Sequence, residues 1–452
     1  MPPFSGCLTD PLSQTSAEYQ CPGEEYTISR AVHLARLAAF YPKCRECRHR
    51  TDTGQLPLQT LEQLQRTERR IERPSLFTPE GVRGVYLNEL THTRAGKIAG
   101  ALASLLWEDQ PLVPRSGSPR ASETKPHRHG PSVIVGHDER PSSPDIVTGV
   151  AKVLRRMGCH VIDIGLSTRP CFWYAVDHLR GVAGIHVTGS GRDPAWTGLD
   201  FVGAGALPWS RDLRLGEIER RYEQGFSRPT RHSAGQRTFH ASALYEAGLW
   251  KHFHALRPLR VCCGCPNRPV RDIIERIFSK LACKLIPVPI PVRARKLHDA
   301  ADADSQRLAQ AVRQQKADLG ILIDDDGQTC TFFDERGTLI PAPALTLVLA
   351  EALLEEAPGS GIVVEESAAA NLRPMLEAWK GRVIPSGTTL TAVSQAMRRH
   401  DAQLAGGDSG RFWFRESFPT CDAVLTLAKV LQALSRSDAE FSVVAGAKLQ
   451  VQ

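Results

Sequence analysis

No apolar run in this 452-residue chain approaches the ~18–20 residues needed to cross a bilayer, so no membrane span is expected. The amino terminus, Met1-Pro2-Pro3-Phe4-Ser5, lacks a charged start followed by an apolar block. No secretory signal is read there, and a cytoplasmic location is expected. Without an export signal, the 12 cysteines are expected to be reduced thiols, buried or metal-bound, and not a disulfide framework. Hydrophobic residues, at 42%, suffice for packed cores, and the length allows about three domains. The formal charge of +7 favours anionic partners, either phosphorylated small molecules or nucleic acid.

Residues 1–73 differ in character from the rest. Cysteine-containing stretches flank an expected helix from Ile28 to Phe40, and a second helix rich in Arg, Glu and Gln is expected from Leu58 to Arg73. The segment 114–131 (PRSGSPRASETKPHRHGP) is too rich in Pro, Ser and basic residues to support a core and is expected to be disordered. From Ser132 onward, short apolar runs alternate with helical patterns. Expected strands are Ser132–Gly136, His160–Ile164, Gly184–Val187, Leu259–Cys263, Lys284–Val288, Leu319–Ile323, Gly361–Glu365 and Arg382–Pro385. Helices are expected between them. The fold class is α/β: three successive α/β/α units with mixed, mainly parallel sheets, plus a small amino-terminal Cys/His-containing appendage. The expected divisions are 1–73, 74–212, 213–337 and 338–452.

Leu319-Gly320-Ile321-Leu322-Ile323 ends in Asp324-Asp325-Asp326-Gly327-Gln328. An apolar run without helical period reads as a buried strand, and three adjacent acids at its end repel one another unless water or a cation intervenes. A hard divalent ion such as Mg²⁺ or Ca²⁺ suits such oxygen ligands; a solvated acidic turn is the alternative. In α/β sheets, ligands gather at the carboxyl ends of strands, and Thr188–Pro194, Asp324–Gln328 and Gly406–Arg411 all follow strand-like runs.

These landmarks together resemble the α-D-phosphohexomutase superfamily of phosphoglucomutase and phosphomannomutase. Phe77–Gly84 is similar to its amino-terminal signature around an Arg. Val135–Arg140 with Ser142-Ser143 resembles Gly-x-Asp-x-Arg-x-Ser. Ile185–Pro194 resembles the phosphoserine loop, Asp324–Gln328 followed by Asp334–Gly337 the metal loop, and Gly406–Arg411 the sugar loop. The resemblance implies phosphoryl transfer between positions of a hexose phosphate through a phosphoserine and Mg²⁺. It assigns Ser190 as phosphocarrier, Asp324, Asp326, Gln328 and Ser190 as metal ligands, and Arg83, Arg140 and Arg192 as catalytic-site cations. Asp408, Ser409 and Arg411 would contact the sugar.

Departures from the pattern bear on activity. Gly191-Arg192 replaces the family His beside the serine, Asp325 replaces a glycine, Gln328 replaces the third aspartate, and Thr329 replaces an Arg. A weaker Mg²⁺ site is expected from the lost charge. The sugar loop is one residue short, with Asp408 for Glu and Arg411 for His. With Gln452 following soon after the third unit, the family's fourth domain and its phosphate loop are expected to be lacking. Two readings follow: a divergent phosphohexomutase, and a catalytically inactive phosphosugar-binding or scaffold protein.

In the appendage, Cys44-Arg45-Glu46-Cys47 with Cys21 and His33 offers four ligands for a structural zinc, with His49 also near; buried thiols are the alternative. Arg45, Arg48 and Arg50 raise a third reading, a zinc-stabilised basic module docking on nucleic acid or an acidic partner. A solvated basic face is the commoner meaning of such charges, and a nucleic-acid partner is not expected. Cys262-Cys263-Gly264-Cys265 follows an expected strand and reads as core, while His127 and His129 fall in the expected disordered insert.

Overall fold

A computed structural model of the chain describes residues 18–22, 24–39, 41, 44, 47–68, 75–109, 130–296, 298–417 and 421–449. The basic insert, with His127 and His129, lies outside these except for Gly130 and Pro131, and Arg45 and Glu46 also lie outside. The chain divides into two compact units, residues 1–76 with 84–91, and residues 77–83 with 92–452.

In the first unit, a short antiparallel pair, Tyr19–Gln20 with Thr27–Ile28, leads into the helix Arg30–Ala38, capped by the Ser29 side chain accepting from the Val32 N–H. A second helix, Leu58–Glu68, follows. Tyr19, Cys21 and Ile28 form a small core.

The second unit repeats one plan three times. In each sheet a central first strand is flanked by a second and a third, both parallel to it, and a fourth strand returns antiparallel to the third. The sets are Ser132–His137, His160–Leu166, Ala183–Val187 and Trp196–Gly203; Arg260–Gly264, Lys284–Val288, Leu319–Ile323 and Cys330–Phe333; and Gly361–Glu365, Arg382–Ser386, Leu404–Gly406 and Trp413–Phe414. Helices make the parallel crossovers, as parallel pairing requires. The first sheet carries three further strands, Phe77–Thr78, Gly81–Val85 and Gln236–Thr238, and the second one, Leu339–Ile340.

Local chemistry sets these elements. The helix Arg268–Phe278 buries Val270, Ile273, Ile274, Ile277 and Phe278, an i, i+3, i+4, i+7, i+8 stripe, and Asn267 caps its start by accepting from the Val270 N–H. The strands Leu319–Ile323 and Gly361–Glu365 are buried at every position, which explains the uninterrupted apolar run of the first and the Ile362–Val364 run of the second, before Glu365. Cys262, Cys263 and Cys265 are buried in or beside a strand, as core residues. Among the described residues no helix is long and apolar enough to cross a membrane.

The helices His92–Asp109, Arg214–Gln224, Ala241–Trp250 and Ala423–Leu434 and the three fourth strands add to the elements expected from sequence. Those fourth strands matter most for function. Each of the three suspect loops is the connection from a third strand to a fourth, so all three occupy equivalent places in a repeated unit.

Candidate functional site

The serine loop, between Val187 and Trp196, is anchored from the neighbouring central strand. Asp138, at that strand's carboxyl end, accepts from the Arg140 N–H at 3.1 Å, the Ser143 hydroxyl at 2.5 Å and the Gly189 N–H at 3.1 Å. Thr188 Oγ1 accepts from the Ser190 N–H at 3.0 Å. Gly191, at φ +74°, then turns the chain. Ser190 is half-buried, and its hydroxyl donates to Asp325 Oδ1 at 3.1 Å across 135 positions of sequence. The same oxygen accepts from the Gly191 N–H at 2.8 Å. The serine loop and the acid loop therefore meet.

Arg140 closes that contact. Its guanidinium donates to Asp325 Oδ2 at 2.7 Å and to the carbonyls of Arg192, Asp193 and Trp196 at 2.9, 2.6 and 3.2 Å. Only 5% of the side chain is exposed, so Arg140 acts as a strut that shapes the serine loop and holds Asp325. Arg83 is likewise engaged, with Asp200 at 2.7 Å and the Val82 carbonyl at 2.9 Å. Arg192 is exposed, with its guanidinium 5.5 Å over the Trp196 ring. It is the expected site cation that faces solvent.

The acid loop folds on itself. The Asp324 N–H donates to the Thr329 carbonyl at 2.9 Å, and the left-handed residue of the turn is Gly327 at φ +70°. Asp326 caps the turn: Oδ1 accepts from the Gln328 and Thr329 N–H groups at 2.7 and 2.9 Å, and Oδ2 from the Thr329 hydroxyl at 2.8 Å. Asn267 Nδ2 donates to the Asp325 carbonyl at 2.9 Å, so one residue caps a helix and fixes the loop.

Two arginines that the sequence reading did not single out enter this loop. Arg295, its side chain 1% exposed, donates to Asp324 Oδ1 at 3.1 Å and lies 3.4 Å from Asp304 Oδ2. Arg169 donates to Gln328 Oε1 at 3.1 Å, lies 3.9 Å from Asp326 Oδ2, and pairs with Asp200 at 2.5 Å. Burial works against the charge on Arg169, but Asp200 and Asp326 outweigh it and raise its pKa. Burial also opposes charge on Asp200, yet Arg169 and Arg83 hold its carboxyl below the usual range. Burial, then the adjacent Asp325 and Asp326, push Asp324 up to about 8 against the pull of Arg295. One sequence signal pointed at Arg169. It opens the helix Arg169–His178, where the macrodipole disfavours a cation, so an arginine there needs acidic partners.

The expected metal set is brought together in sequence but not in function. Ser190 touches Asp325, the residue standing in for the family glycine, while Asp324, Asp326 and Gln328 bond to Arg295, to their own turn and to Arg169. Mg²⁺ would need several of these oxygens at about 2.0–2.1 Å. Among the described residues, no three His, Cys, Asp or Glu side chains are grouped to hold a metal. Asp324 Oδ1, Asp326 and Gln328 Oε1 already accept from a guanidinium or an N–H, and Ser190 Oγ donates to Asp325, so the donor set as arranged does not fit Mg²⁺.

The sugar loop joins the same site through the acid loop. Thr329 and Arg411 form an antiparallel bridge, and the Cys330 N–H donates to the Gly410 carbonyl at 2.9 Å. Asp408 is exposed. The Ser409 N–H donates to Glu365 Oε2 at 2.8 Å, and Arg411 Nη2 to the Thr388 carbonyl at 2.8 Å. Glu365, 1% exposed and with Oε1 lacking a hydrogen-bond partner among the described residues, is a buried carboxylate under this loop that sequence reasoning missed.

In the appendage, Cys21, Cys44, Cys47 and His33 are all buried. Burial, then Cys21 and Cys47, push the Cys44 thiol up to about 11. Arg36 Nη1 donates to Cys21 Sγ at 2.9 Å. His33 stacks on Tyr19 at 4.2 Å and bonds the Asp52 carbonyl through Nε2 at 2.9 Å.

Comparisons with known proteins bear on this arrangement. The family model described as phosphoglucomutase/phosphomannomutase, alpha/beta/alpha domain I, matches residues 74–228, and that for domain III matches residues 343–451. The chain is 29% identical over 357 residues to a phosphomannomutase of Salmonella montevideo, covering 75% of each. To a phosphomannomutase/phosphoglucomutase of Pseudomonas aeruginosa it is 26% identical over 322 residues, covering 68% of this chain and 67% of the other. Among solved structures, a phosphoglucomutase/phosphomannomutase family protein of Burkholderia thailandensis matches with a TM-score of 0.71 at 22% identity, over 82% of this chain and 79% of that one. A phosphomannomutase-like structure from Thermus thermophilus gives 0.66 at 17% identity, over 84% of both. These structures establish a shared fold.

Proposed function

The chain belongs to the α-D-phosphohexomutase superfamily, and from that premise we propose that it moves a phosphoryl group between positions of a hexose phosphate, with Ser190 as the carrier. The single observation that supports this reading is the hydrogen bond from the Ser190 hydroxyl to Asp325, which joins the serine loop to the acid loop. A carboxylate at hydrogen-bond distance from a nucleophilic hydroxyl is placed to take its proton.

The reaction then runs with this chain's own residues. A hexose bisphosphate presents one phosphate to Ser190, with Arg192 the solvent-facing cation available to its oxygens. As Ser190 Oγ bonds to phosphorus, its proton passes to Asp325 Oδ1, the sugar–oxygen bond to phosphorus breaks, and the leaving oxygen takes a proton from water. Asp325 is then a neutral carboxylic acid beside the phosphoserine and no longer repels it. In the return half, the free hydroxyl at the other position of an incoming hexose monophosphate attacks the phosphorus and gives its proton to water, while the bond from Ser190 Oγ to phosphorus breaks and Oγ recovers its proton from Asp325, regenerating a hexose bisphosphate. Arg140 keeps the two loops in register throughout. Ser409 and Arg411, in the loop bridged to Thr329, are assigned to the sugar hydroxyls, with Asp408 at the rim. One unit for each loop goes with this reading, with divisions at residues 73 and 337 and the boundary between them moved from 212 to beyond Gln236–Thr238, which pairs in the first sheet.

A second reading, phosphosugar binding without transfer, draws on one observation. Arg83 and Arg140, expected to grip phosphate, are both spent on protein groups. Phosphorus NMR of hexose 1-phosphate with a trace of hexose bisphosphate separates the two. Appearance of hexose 6-phosphate with wild type and its loss in Ser190→Ala supports transfer. Bound but unconverted sugar phosphate supports the second reading.

A further inference from the structure

We infer that guanidinium groups take the place of a divalent cation in this site, so that phosphosugar binding and transfer require no Mg²⁺. This rests on the hexose-phosphate reading above and concerns what neutralises the acid loop. Every carboxylate or amide at the expected metal position has a buried arginine or a turn N–H as its partner. Arg295 sits on Asp324, Arg169 reaches Gln328 and Asp326, and Arg140 holds Asp325. None of these arginines is a mobile surface group. The Arg295 side chain is 1% exposed, Arg140 5% and Arg169 11%.

Each of the three is tied down at its far side as well. Arg295 Nη2 donates to the Pro291 carbonyl at 2.6 Å and its Nε faces Asp304. Arg169 is held by Asp200, which Arg83 grips from the other side. Arg140 is held by Asp138 and three carbonyls. A metal entering here would have to share oxygens with fixed positive charges in a poorly solvated place, where like charges repel strongly.

Two substitutions in sequence fit the same picture. Gln328, neutral where the family has an aspartate, accepts a hydrogen bond from Arg169. Asp325, acidic where the family has glycine, supplies the carboxylate that reaches Ser190. Charge removed at one position is restored at another, but aimed at the serine and not at a common centre. The third departure agrees: Thr329, where the family has an arginine, gives its hydroxyl to Asp326. The loop is thus closed by hydrogen bonds that a metal would otherwise replace.

The test uses the full-length protein. Mg²⁺ is titrated calorimetrically into wild type, both unmodified and after incubation with hexose bisphosphate, and hexose 6-phosphate affinity is measured with EDTA and with excess Mg²⁺. Expected are flat Mg²⁺ isotherms and hexose-phosphate dissociation constants that agree within twofold in the two buffers. A saturable one-to-one Mg²⁺ isotherm in either state, or a tenfold weakening of sugar binding by EDTA that Mg²⁺ reverses, overturns the inference. Arg295→Met uncovers Asp324 and is expected to gain a Mg²⁺-dependent rise in melting temperature that wild type lacks. If that variant does not fold, the wild-type measurements decide alone. Failure to bind hexose phosphate in either buffer would count against the functional reading, and the Mg²⁺ isotherm would still decide this one.

Discussion

Replacing Asp325 with glycine restores the residue of the family pattern that this loop resembles, yet the structure makes it a costly change. The Asp325 carboxylate accepts from the Ser190 hydroxyl, the Gly191 N–H and the Arg140 guanidinium at 3.1, 2.8 and 2.7 Å. Its side chain is 9% exposed and that of Arg140 5%. Removing one member of a buried ion pair costs about 3–5 kcal/mol, because the other charge is left without compensation. Arg140 keeps Asp138 at 3.3 Å, which places the expected loss near the lower end, about 3 kcal/mol. Glycine gains nothing in return, since the left-handed position of the turn is Gly327, and it adds about 0.5–1 kcal/mol of unfolded-state entropy. Asp325→Asn keeps an oxygen for Ser190 and Gly191 but no charge for Arg140, so it should fall between wild type and glycine. Urea unfolding at neutral pH measures all three, with m-values unchanged. A glycine variant within about 0.5 kcal/mol of wild type, the range of ordinary surface changes, would refute the coupling of these loops.

Three further outcomes are expected. Asp422, pushed by burial up to about 6, caps the helix Ala423–Leu434 and accepts a short hydrogen bond from Tyr245. Its folded pKa lies above the unfolded value, so its favourable contribution is complete below about pH 4 and is lost as pH rises through 6. The stability of wild type minus that of Asp422→Asn should therefore increase by about 2 kcal/mol from pH 7 to pH 4, and a difference that shrinks would refute the assignment. At Gly149, on the helix Ser143–Arg156, an added Cβ would stand 2.2 Å from the His92 carbonyl oxygen. Gly149→Ala should then cost about 1–3 kcal/mol by overpacking, read by calorimetry, where an unchanged melting temperature would contradict the close helix contact. Glu365→Ala removes the acceptor under Ser409 and should weaken hexose-phosphate binding about tenfold, the worth of one charge-assisted bond; fluorescence or calorimetric titration checks it, and unchanged affinity would remove Glu365 from the site.

Much of the α/β frame was legible because fully buried parallel strands must be apolar throughout. Leu319–Ile323 and Gly361–Glu365 have the ends expected from sequence, and so does the edge strand Lys284–Val288, of which only Val288 is buried. The fourth strands were harder to see. Trp413–Phe414 and Cys330–Phe333 are too short to show a period, and pairing with a neighbour defines them. The three loops announced themselves through Ser190, Asp324–Gln328 and Gly406–Arg411, and the structure brings them together. Which acid faces the serine was not legible, because it depends on Asp326 turning inward to cap its own loop while Asp325 points across. Arg295 and Arg169 escaped notice for a related reason. An arginine far in sequence from its carboxylates reads as surface charge until the fold buries both.

The most direct test of a carrier serine is the mass of the tryptic peptide containing Ser190 after wild-type protein meets a hexose bisphosphate in the presence of EDTA. One added phosphate, located on Ser190 by fragmentation and absent from Asp325→Asn treated for the same time, is the expected result. An unmodified Ser190 peptide from folded wild-type protein that binds the sugar would contradict phosphoryl transfer through this residue.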